Sequence, residues 1–239
     1  MNDLMASLRS LASTPLLWLA VTLVVFEGVD MLSRRSGRHP LCHPVLWSTP
    51  ILIGILLATG TTYDTYATGT QMLTFLLGPA TVALGVPLWR NRVLIRSVAK
   101  PLVVALFAGS LTAIGSAVAV LALFGAPREL LASIAPRAAT TPVAMAVAAQ
   151  LGGIPTLAAV IVLSGGVIGA MVVTPMMNVL GITDFRARGF AAGVAAHGFG
   201  TARAFQVDDV AGTFAGVGMA LNAVTTAIIL SLAALLFAP

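Results

Sequence analysis

Long apolar stretches separated by short polar links recur along the whole chain. Six are close to the roughly 20 residues that a membrane helix needs. They run from about Thr14 to Leu32, Pro44 to Gly60, Met72 to Trp89, Pro101 to Phe124, Thr156 to Leu180 and Val210 to Ala238. Their apolar positions are continuous rather than alternating, so they predict helices and not the strands of a barrel. Two further stretches, Leu131 to Leu151 and Gly189 to Gln206, are only moderately apolar. The first is interrupted by Pro136, Arg137, Thr140, Thr141 and Pro142, the second by His197-Gly198-Phe199-Gly200-Thr201 and Arg203. The pattern predicts an all-α, polytopic transmembrane helical bundle with about six full spans and two broken or re-entrant helices. It reads as a single integral membrane domain over residues 1–239.

Composition sharpens this picture. The chain is 58% hydrophobic and only 9% charged, against about 25% charged in a soluble domain. Thirteen basic and eight acidic side chains are too few to cover a water-facing surface of this size. The bases sit in the links and form no patch with interleaved aromatics, which argues against nucleic acid. Arg9 before the first apolar run resembles a signal peptide, but Glu27, Asp30, Arg34 and Arg35 follow where a small-residue cleavage site belongs, so an uncleaved span is expected. A lone cysteine, Cys42, allows no internal disulfide and no cysteine-based metal site. His39 and His43 share a basic link and have no third ligand nearby in sequence, so they read as interfacial. No nucleophile elbow, zinc motif or phosphate loop points to an enzyme, and no cofactor is expected.

The basic links give an orientation. Arg34, Arg35 and Arg38, then Arg90, Arg92, Arg96 and Lys100, then Arg186 and Arg188 mark cytoplasmic segments under the positive-inside rule. The 61–71 and 125–130 links then lie outside. In the second half of the chain a broken segment followed by a long span occurs twice. If each broken segment enters and leaves on one side, the two pairs are inverted, the arrangement of secondary carriers. The acidic Asp208-Asp209 link argues for the alternative, in which 189–206 crosses completely.

The candidate chemistry lies at the breaks. Thr141 is a fitting N-cap and Pro142 a fitting first helical residue, with Thr140 beside them. Gly198 and Gly200 permit a second break, after which Thr201 can cap a new half-helix. Two half-helix starts deep in the membrane would offer free amides to an anion. Arg137 and Arg203 could hold a carboxylate, and His197 could carry a proton; headgroup snorkelling and ordinary packing are the plainer alternatives. Gly78-Pro79 predicts a further break in the third span. Gly165, Gly166, Gly169, Gly216 and Gly218 suggest close helix packing. Asn222, Thr225 and Thr226 could bridge helices or line a cavity. Glu27 and Asp30 are expected to pair with Arg34 or Arg35.

Several of these segments together resemble one family. His43-Pro44, the run Thr74-Phe75-Leu76-Leu77-Gly78-Pro79-Ala80-Thr81-Val82-Ala83 with Pro87-Leu88, Thr140-Thr141-Pro142-Val143-Ala144-Met145, Gly152-Gly153-Ile154-Pro155 and Ala196-His197-Gly198-Phe199-Gly200-Thr201-Ala202-Arg203-Ala204 look like the LrgB/CidB family. Thr49-Pro50 departs from the plainer run expected early in span two. The resemblance implies a multi-pass protein of the bacterial cytoplasmic (inner) membrane with a small LrgA/CidA-like membrane partner. It also implies one of two functions. One is holin-like or antiholin-like control of murein hydrolase export and autolysis. The other is carriage of small carboxylates, as in plastid glycolate/glycerate translocators.

Overall fold

The computed structural model describes residues 15–39, 42–83 and 85–237; Arg9, Thr14 and Ala238 lie outside them. The described segments are helical apart from turns and links, and the chain divides into two compact units, Met1–Gly85 and Val86–Pro239.

Unit one contains α1 (Pro15–Arg35), α2 (Pro44–Thr59), α3 (Tyr63–Gly69) and α4 (Gln71–Ala83). Trp18 of α1 is buried and meets the Tyr66 ring edge-on at 6.0 Å, and the Thr22 hydroxyl donates to the Tyr66 oxygen at 3.1 Å. The expected pairing at the end of α1 is present, with a different set of arginines. Arg34 Nε donates to Asp30 at 2.7 Å, Arg34 also reaches Glu27 at 3.4 Å, and Arg38 supplies a second cation to Asp30 at 3.4 Å. Pro44 opens α2 as its sequence suggests, and Pro50 is accommodated inside it. Gly60, at φ 65°, closes α2 after 16 residues, and α3 departs at 120°. The break foreseen at Gly78-Pro79 does not occur. Pro79 lies inside α4, which continues to Ala83, so one missing amide donor does not end the helix.

Among the described residues, four helices are long and apolar enough to cross a bilayer, or five if the bent α2–α3 pair is one span. That is fewer than the six full spans read from hydropathy. The second, α2, has 16 residues, and the described parts of the third are α4 and α5 (Gly85–Arg90), with residue 84 outside the description.

After α5 and α6 (Arg92–Ser97), unit two is built on three of the long helices: α7 (Ala99–Leu123), α10 (Pro155–Val179) and α12 (Asp209–Phe237). The 25 residues of α7 and of α10 extend about 37 Å, more than the roughly 30 Å hydrocarbon core. Val104, Phe107 and Leu111 of α7 are exposed, as befits side chains whose solvent is lipid.

Between these helices lie two folded-back segments. In the first, α8 (Arg128–Ile134) leads into an irregular stretch, 135–140, and α9 (Thr141–Gln150) returns beside it. Ala139 packs with Ala144 at the tip, Ala135 with Val147 lower down, and the amide of Ile154 donates to Ser133 Oγ at 2.8 Å at the base. In the second, α11 (Phe185–Val207) is broken at Ala196 and His197. Its second half returns along its first: Gly200 presses on the Ala192 carbonyl, while Ala204 shares an apolar cluster with Ala192. α12 then runs parallel to the first half. Gly189 meets the carbonyl of Ala211 and Gly193 that of Ala215, so closely that a Cβ at either glycine would strike backbone. This spacing of small residues lets membrane helices approach.

The two hairpins point at each other. α10 starts at the base of the first, beside Ser133, and passes its tip where Val162 packs against Ala139 and Ala144. It meets the second tip where Gly166 faces His197 and Gly169 faces Ala196. It ends at the second base, where Arg188 donates to Asn178 Oδ1 at 2.7 Å and to the Thr174 carbonyl at 3.3 Å. The tips thus meet near mid-length of α10. The second base carries Arg186 and Arg188, and residues 94–98 of the basic α6 region pack near it through Phe190 and Val210. The positive-inside rule puts that end in the cytoplasm.

Candidate functional site

The meeting point of the tips is tied together by one amide. Asn222, fully buried at mid-length of α12, donates to the Ala138 carbonyl at 2.7 Å and to the Val194 carbonyl at 3.2 Å. These are the last stretches of the two hairpins before they turn. Its oxygen accepts from Ser110 Oγ of α7 at 2.6 Å and from Thr226 at 3.5 Å. The sequence left Asn222 and Thr226 open between bridging and lining; the geometry makes Asn222 the bridge, while Thr226 supports its oxygen from one turn along the same helix. The signal was an amide within a long apolar run, where an unpaired polar group costs several kcal/mol. Ser110 was not singled out, because a lone serine in an apolar helix announces nothing.

His197 forms the second tip. Its φ of 38° and ψ of −125° lie where non-glycine residues are strained. The buried imidazole reaches the Val162 carbonyl through Nε2 at 3.1 Å and meets the Phe199 ring at 5.8 Å. Val162 is therefore shared, its side chain by the first tip and its carbonyl by the second. The absence of a side chain at Gly166 makes room for the imidazole.

The expected residues separate into two groups. Thr140, Thr141, Pro142, Arg137, His197, Gly198 and Gly200 lie at or next to the tips. The helix start is displaced by one: Thr140 is the N-cap of α9, its hydroxyl caps no amide, and Thr141 and Pro142 are the first helical residues. The break in α11 falls on Ala196 and His197 rather than at Gly198. Thr201 is not a cap. It lies inside the returning half-helix, where its hydroxyl donates to the His197 carbonyl at 2.8 Å and rests near Met219 Sδ. Arg203 lies farther from the tip, near the cytoplasmic base. It shares a small cleft with Phe185 and Arg188 and donates to Gln206 at 3.4 Å. Two turns of return helix separate it from the tip, so it does not face the meeting point.

Arg137 has a different setting. A cavity of about 700 Å³ runs between α7 and the first half of α11. One end is bounded by Val98, Asp184 and Arg186, the other by Ser116 and Arg137. Val98 to Ser116 spans about 27 Å of helix, so the cavity extends from the cytoplasmic interface past mid-membrane. Its walls are mostly apolar, including Leu102, Ala105, Ala191 and Phe190. Among the described residues, no hydrogen bond or ion pair engages the half-buried Arg137 guanidinium. At the cytoplasmic end Asp184 caps α11 through the Arg186 amide at 2.8 Å and pairs with its guanidinium at 2.6 Å. The Arg186 side-chain hydrogen bond, followed by its amide, lowers the Asp184 carboxyl to about 2. Among the described residues no cluster of histidine, cysteine or carboxylates is arranged to hold a metal ion.

The LrgB-like family model matches residues 22–236. The chain belongs to the LrgB-like family. Bacillus subtilis YwbG, described as uncharacterised, is 33% identical over 87% of this chain and 92% of its own length. Proteins named holin-like protein CidB, from Staphylococcus epidermidis and Staphylococcus aureus, are 28% and 27% identical over 92% and 93% of this chain and 96% of their own. No solved structure matches. The LrgB-like chain is a multi-pass membrane protein, and the hairpin tips fall in two of the segments on which its resemblance to the family was recognised.

Proposed function

We propose that this LrgB-like protein carries small monocarboxylates of the glycolate, glycerate or pyruvate kind across the bacterial cytoplasmic membrane. The observation that carries the reading is the meeting of two oppositely directed, folded-back helices halfway along spanning helices, as in secondary carriers. Thr140, Thr141 and His197 lie at the two tips and are the candidate anion ligands, with Arg137, three residues before Thr140, as the candidate cation. His197 is the candidate proton carrier, since an imidazole can change charge near neutral pH.

The names of the staphylococcal relatives favour a second reading. In it, the protein modulates murein hydrolase export and autolysis together with a small LrgA/CidA-type membrane partner. Purified protein in liposomes separates the two. Saturable, pH-dependent uptake of labelled glycolate or pyruvate supports the carrier. Leakage of unrelated solutes graded by size supports the holin-like reading and ends the carrier one. Uptake seen only with the small partner present makes the chain one part of a two-component carrier.

A further inference from the structure

The cavity beside Arg137 has dimensions and walls that a two- or three-carbon acid does not explain. Its volume of about 700 Å³ lies within the range of pockets that enclose drug-sized ligands. Between the Asp184–Arg186 pair at one end and Arg137 at the other, its walls are alanine, leucine, valine, phenylalanine and proline side chains with Gly109, and hydroxyls appear only toward Arg137, at Thr112 and Ser116. A hydrophilic acid seated at Arg137 would touch only the end with Thr112 and Ser116 and leave most of this apolar wall uncovered. An apolar body attached to the carboxylate would cover it. The half-buried guanidinium, engaged by no carboxylate of the described chain, supplies the charge complement for an anionic end.

We propose that this cavity is a binding site for monocarboxylates bearing an apolar tail of several carbons, with the carboxylate on Arg137 and the tail along α7 and the first half of α11. The proposal rests on the carrier reading and moves its substrate class from two- and three-carbon acids to longer ones. A bound anion at Arg137 offsets the cost of holding a cation among apolar helices. The tail adds the transfer of each methylene out of water, equivalent to about a fourfold gain in affinity per carbon. Asp184 and Arg186 stand at the cytoplasmic end, where they neutralise each other and leave Arg137 as the cavity's uncompensated charge.

The test uses the full-length protein purified in detergent and 2-hydroxy acids of increasing tail: glycolate, lactate, 2-hydroxybutyrate and 2-hydroxyisocaproate at neutral pH. Calorimetric titration is expected to show affinity rising about fourfold per added methylene. The uncharged amide of 2-hydroxyisocaproate should bind at least tenfold more weakly than the acid. Arg137→Gln should lose at least tenfold across the series. The proposal is overturned if glycolate binds and affinity is flat or falls with tail length, a result that leaves the carrier reading standing. If no acid of any length binds, the site proposal falls, and absence of uptake in liposomes then removes the carrier reading as well. Unchanged binding by Arg137→Gln, or a phospholipid that occupies the cavity and is not displaced by the longest acid, also overturns it. Should Arg137→Gln fail to fold, the wild-type series decides alone.

Discussion

At the scale of single residues, the two side chains that hold the tips respond differently to replacement. His197 occupies backbone space favourable to glycine, at φ 38°, yet its imidazole makes the bond to Val162. Replacing it by alanine keeps the strain and loses the bond, whereas replacing it by glycine loses the bond and relieves the strain. His197→Gly is therefore expected to be more stable than His197→Ala by about 1 kcal/mol, measured by thermal unfolding in detergent; the reverse order would show that the backbone there is unstrained. Asn222→Leu leaves the Ala138 and Val194 carbonyls without their donor. Bonds of this kind in membrane proteins contribute about 0.6 kcal/mol each on average, so a loss of about 1–2 kcal/mol is expected. Ser110→Ala, which removes one of two donors to the Asn222 oxygen, should cost less. The histidine was legible in the sequence because a titratable group beside a glycine in an apolar run stands out. The role of Thr201 was not, because a threonine that bonds back to a carbonyl four residues earlier is written with the same letter as one that caps a helix. Arg203 was assigned to the site by proximity in sequence, but a returning half-helix carries it away from the tip.

Elements show where hydropathy suffices and where it fails. The long spans were readable to within a few residues, since burial in lipid requires an apolar stretch of set length. The continuity of α4 was not, because Pro79 acts through backbone geometry that hydropathy does not register. The pairing of α11 with α12 depends on Gly189 and Gly193 lying against the Ala211 and Ala215 carbonyls. Gly193→Ala must push two backbones apart and is expected to lower stability by about 1–3 kcal/mol. Gly165→Ala on α10, where a Cβ meets open space, should be close to neutral, and equal losses in the two variants would contradict the packing. The start of α11 gives a pH prediction. Asp184 falls from its ordinary 3.8 to about 2 in the folded protein. A depressed carboxylate contributes stability that is complete above its unfolded pKa and disappears as pH falls through the folded one. The stability difference between wild type and Asp184→Asn should thus hold from pH 7 to about 5 and shrink between about 4 and 2. A difference that vanished near pH 6 would assign the effect to another group.

For the second unit as a whole, the sequence admitted two topologies, and the acidic link at 208–209 favoured the wrong one. If residues 189–206 crossed the membrane completely, the links before and after α11 would face opposite sides. The structure folds α11 back on itself, with Gly200 against Ala192 and the start of α12 beside Gly189. Both links therefore share one side, and the acidic pair lies with Arg186 and Arg188 despite its charge. The positive-inside rule counts lysine and arginine and gives little weight to acids, so Asp208 and Asp209 carried less topological information than their charge suggested. Single cysteines at Thr183, Asp209 and Ile154, in a Cys42→Ser background, make this measurable with a membrane-impermeant maleimide on intact and permeabilised cells. Thr183→Cys and Asp209→Cys are expected to label together and only after permeabilisation, while Ile154→Cys, at the base of the opposite hairpin, labels on intact cells. The comparison of the first two does not depend on which way the protein is inserted. If Thr183→Cys and Asp209→Cys label from opposite sides, α11 is a full crossing, and the meeting of opposed hairpins on which the carrier reading stands does not exist in the membrane.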